Sequence, residues 1–320
     1  EVALYQITRE LLEVKEKTGS SSEIFSILGS VQDKECVTQT LKRFEINTIL
    51  HAAAFKHVPL VEDNVIEGIK NNVFGTRTLA EAALEFGVES FTLISTDKAV
   101  RPTNVMGASK RIAELICQVY NKETVKTKFS MVRFGNVLAS SGSVIPLFQK
   151  QIEAGGPVTV THPEITRYFM TTNEAAELVL QASALARGGE VFVLNMGKPV
   201  KIMDLAKNMI RLAGFKAFYP DQLNRAKPKA GDITISVTGL RSGEKLYEEL
   251  FIDNNPQPTK HPLIMKCVEN PITEAEISRQ LTQLRDACDA DEVDTIINLL
   301  EKMPLGFNHN RNVSNRLNKI

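Results

Sequence analysis

The sequence predicts an α/β protein: a doubly wound parallel sheet with helices on both faces and a smaller lobe beside it. Two observations carry that expectation. Short apolar runs of strand length, such as FTLIS and FSMVR, alternate with longer stretches of helical period, the rhythm of a sheet wrapped by helices. The stretch Phe91–Arg111, FTLISTDKAVRPTNVMGASKR, reads as strand, polar turn and helix, and it gathers Ser95, Thr96, Asp97 and Lys98 where the strand ends. In an open parallel sheet that is the end at which ligands bind.

With 320 residues the chain can bury a sizeable core as one large or two modest domains. Its 38 basic and 38 acidic side chains balance and are dispersed, which argues against a nucleic-acid-binding surface. Cys36, Cys117, Cys267 and Cys288 lie far apart with no metal-like spacing, the pattern of free thiols in a reducing compartment. No apolar run reaches the roughly 18 residues of a membrane span, and no signal peptide is visible.

Taken in order, Val2, Leu4, Ile7, Leu11, Leu12 and Val14 spell an amphipathic helix with no strand before it. IFSILGSVQD is expected to form a strand ending in a polar turn, Glu35–Phe44 a helix, and INTILHAAA the next strand. Small residues at Ala52, Ala53 and Ala54 would let a ligand come close. Asp63–Phe86 carries one long helical pattern. In the helix after the Phe91 strand, Ala108, Ile112, Leu115, Ile116 and Val119 make a one-sided apolar stripe. Asn104 is a suitable N-cap there, and Met106 and Lys110 share a face. FSMVR leads from Arg133 into a Gly/Ser-rich loop with Asn136, Ser140 and Ser141. PVTVTHPEITRYFM precedes a helix capped near Thr172 or Asn173, and VFVLNMGKPVKI reads as strand, loop and helix. GLRSGEKLYEELF and a Pro-rich loop follow, then helices at Glu274–Ala287 and Glu292–Lys302 that serve packing or assembly. The polar, basic end NHNRNVSNRLNKI is expected to be disordered.

The words STDKA, NVMGASKR, R-x-G-N-V around Arg133 and R-x-G-E-K at Arg241 resemble the extended short-chain dehydrogenase/reductase family, from about Ala3 to about Gly306. Within it they are similar to the bacterial nucleoside-diphosphate-sugar 4,6-dehydratases of polysaccharide synthesis. Met106 stands where a Tyr-x-x-x-Lys helix has its tyrosine, which resembles the large membrane-anchored branch. The resemblance implies a Rossmann-like fold, bound NAD, a UDP-sugar substrate and a homo-oligomer. It implies a cytoplasmic domain of an inner-membrane protein, anchored through a segment outside these residues. The first helix resembles the family's second, so the first strand and Gly-rich turn are absent from this sequence, which has no G-x-G-x-x-G or G-x-x-G-x-x-G. Implied domains are an NAD-binding part at 1–137 completed by 173–214, a sugar-nucleotide lobe at 138–172 and 215–270, and C-terminal helices with a tail at 271–320.

Residue by residue, the resemblance places Ser30 and Val31 against the adenine, although aspartate is commoner at Ser30. Ala52, Ala53, Lys56, Asn72, Ser95 and Lys110 fall on the cofactor side, with Asn72 anchoring active-site backbone and Lys110 at the nicotinamide ribose. Lys56, His57, Asn136, Arg167, Arg241 and Glu244 fall on the substrate side. There Arg241 would grip the diphosphate as a planar fork and Glu244 would hold a hydroxyl. Asn195 sits where the family has aspartate.

A redox-neutral dehydration fits an Asp–Lys pair, a second lysine and no tyrosine. Lys98 is assigned as the base at sugar C5 and Asp97 as the acid at C6, with burial expected to push the lysine below its ordinary range. Met106 cannot titrate, so the C4 hydroxyl proton would pass to Asp97, either relayed by Thr96 or directly. The implied substrate is UDP-N-acetylglucosamine and the product a 4-keto-6-deoxy sugar. The alternatives are a UDP-sugar C4 epimerase and a catalytically inactive NAD- or nucleotide-sensing module.

Overall fold

The computed structural model describes residues 1–123, 126–138, 140–219, 229, 231–252, 256–267, 269 and 272–309. Its main sheet contains, in chain order, β1 (Thr48–His51), β2 (Ser90–Ile94), β3 (Lys128–Arg133), β4 (Val191–Leu194), β5 (Gln257–Pro258) and β6 (Ile264–Cys267). In space the order is β1-β2-β3-β4-β6-β5. The first four strands are parallel, and β6 adds antiparallel to β4.

Strand alternation divides the core. Phe91, Leu93, Phe129, Met131, Val191 and Val193 face the central helix Val105–Glu123. Ile94, Val132, Phe192 and Leu194 face Leu178 and Val179 of the helix Thr172–Leu185. Helices therefore cover both faces, as a parallel sheet requires.

The central helix departs from the one-sided stripe expected of it. Its residues from Val105 to Val119 are all buried, because the C-terminal helix Glu274–Asp289 packs on the side away from the sheet. That enclosure takes in Ser109, Lys110, Arg111, Glu114 and Gln118, so its polar side chains must find partners or a cavity. Asn104 caps it, its Oδ1 accepting from Gly107 N at 2.8 Å.

The strand expected at IFSILGSVQD does not form. Residues 24–30 pair with no strand among the described residues, and Phe25, Ile27 and Leu28 are exposed. The helical pattern of Asp63–Phe86 is broken into Val58–Asp63, Val65–Ile69, a π turn at Lys70–Phe74, and Gly75–Glu85. The π turn carries Asn71 and Asn72, both buried. The helix start expected at Thr172 or Asn173 is capped one residue earlier, by Thr171 in a reciprocal capping box with Glu174.

A second sheet joins Lys216–Phe218, Asp232–Val237 and Val158–Val160. Ile233, Ile235, Val158 and Val160 pack with Phe148 and Ile152 from helix Val144–Glu153 and with Ile202, Met203 and Ile210 from helix Ile202–Leu212. That last helix lies inside the 173–214 range expected with the first domain, yet it builds the smaller lobe. Conversely β6, within 215–270, belongs to the main sheet.

At the C-terminal end Phe307 enters the main core, and His309 Nε2 lies 2.9 Å from Glu62 Oε2. His309, expected in a disordered tail, is buried; the rest of that tail, 310–320, lies outside the described residues. Among the described residues no helix is long and apolar enough to cross a membrane.

Candidate active site

β2 ends at Ile94, and the chain continues through Ser95 and Thr96 into a tight turn, Asp97–Ala99. Ser95 N donates to Val132 O and Asp97 N to Phe134 O, so the turn stays fastened to the strand beside it. The central helix presses on this turn through Gly107, where an added Cβ would lie 2.3 Å from Lys98 O. Only glycine lets the helix that carries Met106 and Lys110 come so near the turn that carries Asp97 and Lys98.

Asp97 is 1% exposed. Its Oδ1 accepts from Thr96 Oγ1 and from Lys98 Nζ, each at 3.0 Å. Its Oδ2 has no hydrogen-bond partner among the described residues, nor does Oε2 of the buried Glu248. Glu248 Oε1 reaches Lys98 Nζ at 3.4 Å and Arg167 Nε at 3.7 Å. A row of alternating charges thus runs from Asp97 through Lys98 and Glu248 to Arg167 and Glu244. Unmade hydrogen bonds on buried carboxylates are costly, and they mark where a ligand or a proton is received.

A cavity of about 400 Å³ opens beside this row. Lys98, Thr96, Ser95, Met106, Lys110 and Asn136 line it, and Ala52, Lys56 and His57 close it from the loop after β1. Gly142, at φ +69°, turns against the His57 ring so tightly that a Cβ there would sit 2.6 Å from Cε1. Lys110 Nζ has no hydrogen-bond or ion-pair partner among the described residues. Burial pushes it down to about 8, against the attraction of Glu114 and the Cys117 thiol.

Lys98 reverses the expected direction. Burial lowers it, but the carboxylates of Asp97 and Glu248 more than offset that, and the amine is held above its ordinary range. The lowered lysine of the pocket is Lys110.

Behind the turn lies a buried ion cluster. Ser95 Oγ donates to Glu114 Oε1 at 2.6 Å. Glu114 receives Arg133 Nε at 2.7 Å and Nη2 at 2.6 Å, and Arg133 also reaches Glu269 at 2.7 Å. Arg111 bonds both carboxylates. The cluster joins β3, the central helix and the chain beyond β6 directly underneath Ser95. Glu114 is held near 2: burial pushes it up, and Arg133, Arg111 and the Ser95 hydroxyl outweigh that.

Several expected site residues lie elsewhere. Asn72 does not line the cavity; its Oδ1 accepts from Phe55 N at 2.8 Å and its Nδ2 donates to Phe55 O and Ser109 Oγ, each at 3.0 Å, fixing the Ala52–His57 loop from behind. Ala53 is exposed and off the cavity wall. Ser30 and Val31 sit in the turn beside Gly75, away from it. Arg167 is buried behind Glu248. Arg241 and Glu244 border a separate hollow with Thr103 and His309. The Arg241 loop still meets the start of the central helix, since Thr103 Oγ1 and Asn104 Nδ2 donate to Gly243 O at 2.8 and 3.0 Å. Glu248, Glu114 and Glu269 escaped the sequence reading. The one local signal for Glu248 was its place four residues after Glu244 and three beyond the end of R-x-G-E-K.

The sequence family described as polysaccharide biosynthesis protein matches residues 1–269. The capsular polysaccharide biosynthesis protein CapD of Staphylococcus aureus is 54% identical over 258 residues, which are 81% of this chain and 40% of that protein. The chain thus spans less than half the length of that relative. An inverting UDP-N-acetylglucosamine 4,6-dehydratase of Campylobacter jejuni is 32% identical over 235 residues, 72% of this chain and 64% of that one. Among solved structures, the dTDP-glucose 4,6-dehydratase DesIV of Streptomyces venezuelae, with NAD and TYD bound, shares the fold. Its TM-score is 0.54 at 22% identity, over 67% of this chain and 70% of that one.

Proposed function

Since this chain belongs to the polysaccharide biosynthesis protein family, we propose that it carries the catalytic residues of a nucleotide-sugar 4,6-dehydratase acting on UDP-N-acetylglucosamine. The observation that carries the reading is Asp97. One of its oxygens holds the Thr96 hydroxyl and the Lys98 amine, which line the cavity, while the other is buried behind them with no hydrogen-bond partner among the described residues. The 4,6-dehydration named for the C. jejuni relative needs one group to take a proton near C5 and another to give one at C6.

NAD suits the nicotinamide-ribose end of the cavity. Small Ala52 and Ala54 line it without obstruction, and the unpaired amine of Lys110 can meet ribose hydroxyls alongside Ser95. When bound, NAD supplies a reversible two-electron acceptor for the sugar, so that no net oxidation results. The chain's own residues then handle protons. Thr96 passes the C4 hydroxyl proton to Asp97, along the hydrogen bond already formed between them. Asp97, once protonated, no longer holds Lys98 charged, so the ammonium releases its proton to water, becomes the neutral amine that can accept the C5 proton, and regains a proton from water when the cycle ends. Asp97 gives its proton to the departing C6 hydroxyl, and Lys98 returns a proton to C5. Met106 takes no part in proton transfer; its thioether packs the cavity wall beside Lys110.

The full-length protein should act as a membrane-anchored, homo-oligomeric enzyme of surface polysaccharide synthesis. The test is to incubate it with UDP-N-acetylglucosamine and follow a 4-keto product by absorbance in alkali and loss of water by mass spectrometry. Asp97→Asn should reduce turnover by about 100-fold or more. Near-normal turnover in that variant, or a product of unchanged mass as an epimerase would give, refutes the reading.

A further inference from the structure

We propose that Glu248 is a positioning residue that sets the charge of Lys98 and ties it to the smaller lobe. The inference rests on the dehydratase reading for its importance, but its geometry stands alone. Glu248 comes from the segment after Arg241, far along the chain from the Asp97 turn. That segment is stitched down on both sides. Thr166 N donates to Leu246 O at 3.2 Å, Arg167 Nη2 donates to Lys245 O at 2.8 Å, and Lys245 Nζ donates to Val100 O at 2.9 Å. The result is a carboxylate only 3% exposed, with one oxygen 3.4 Å from Lys98 Nζ and the other without a partner among the described residues.

The groups facing Lys98 are few. Asp97 comes from its own turn, Glu248 from the stitched segment, and Arg167 stands behind Glu248. Lys110, Lys56 and His57 lie across the cavity on the central helix and the loop after β1. Two carboxylates hold one ammonium, and protonating Asp97 removes only one of them. Among the described residues Glu248 is then the sole anion left at the amine, so it aims Lys98 and determines how readily it loses its proton. Removing its charge also leaves Arg167 balanced by Glu244 alone. Both changes lower the affinity of Lys98 for a proton, so the direction is the same whichever dominates. Arg167 in turn bonds Glu244 and the Thr166 carbonyl, so this control passes to the lobe that carries the Arg241 loop.

The experiment uses the full-length protein and reads Lys98 directly. Competitive acetylation with acetic anhydride across a pH series, quantified by mass spectrometry on the Lys98 peptide, gives the midpoint at which the amine becomes nucleophilic. In Glu248→Gln this midpoint should fall by about one pH unit or more, the bulk-water limit for unit charges this close. Glu248→Asp keeps the charge but withdraws it by one methylene, and should shift the midpoint less in the same direction. If the Gln variant fails to fold, the Asp shift alone decides. An unchanged midpoint in folded variants overturns the proposal. The low-pH limb of the turnover profile should move with the labelling midpoint. A labelling shift without any dehydration by the wild type would instead sink the functional reading and leave the role of Glu248 standing.

Discussion

Replacing Glu114 by Gln removes the carboxylate that three partners share. Arg133 and Arg111 would be left with Glu269 as their one carboxylate among the described residues, and Ser95 would lose its charged acceptor. Arg133 is fully buried and cannot recover its solvation. Arg133, Arg111 and the Ser95 hydroxyl hold Glu114 below its ordinary value of 4.5, down to about 2, so the ionised carboxylate favours the folded state. Breaking a buried pair by deleting one partner costs about 3–5 kcal/mol. The sign follows from the lowered carboxyl: the contribution is complete above about 4.5 and disappears as pH falls toward 2. Urea denaturation followed by circular dichroism at pH 7 should therefore show Glu114→Gln less stable by about 3 kcal/mol. The gap between variant and wild type should narrow steadily below pH 4.5. A loss under about 1 kcal/mol at pH 7, or a gap independent of pH, would refute the account of the cluster.

Lys110 and His51 make further pH-dependent predictions. Burial lowers Lys110 to about 8, so its ammonium opposes folding below that pH, and stability should rise between about 8 and 10.5; Lys110→Met should flatten this rise in thermal melts while weakening cofactor binding. His51, buried and bonded to Thr76 Oγ1 at 2.8 Å, is pushed down to about 3, first by burial and then by Lys110. The unfolded chain therefore takes up a proton below about 6.5 that the folded chain refuses, and stability should fall by up to roughly 5 kcal/mol between there and pH 3. His51→Gln, measured by urea denaturation across that range, should lose the dependence.

The parts of the fold legible in the sequence are those decided within one element. FTLIS and FSMVR became strands because every second side chain meets a covering helix, and Asn104 capped its helix through a bond three residues away. What could not be read depends on distant partners. Residues 24–30 have strand-like composition, but a ladder needs a neighbour, and no local pattern reveals whether one is there. Asp63–Phe86 looked continuous because a π turn preserves helical period nearly as well as an α turn does. Within the site, the gathering of Ser95, Thr96, Asp97, Lys98 and Lys110 was legible, since a strand end and the next helix place them. The direction of the Lys98 shift was not. It is fixed by Asp97 together with Glu248, and the local sequence around Glu248 does not show that it folds against the β2 end. The ion cluster was hidden for the same reason: Glu269 arrives from beyond β6.

One edge of the main sheet has a practical consequence. β1 pairs with β2 alone among the described residues, so its other side offers a row of unmatched amides and carbonyls. Leu50 in β1 and Phe55 in the loop after it stand exposed. A naked rim with greasy flanks is a template for strand addition. These residues expressed alone should clump as concentration rises, and a chain segment able to lie along β1 should keep them dispersed.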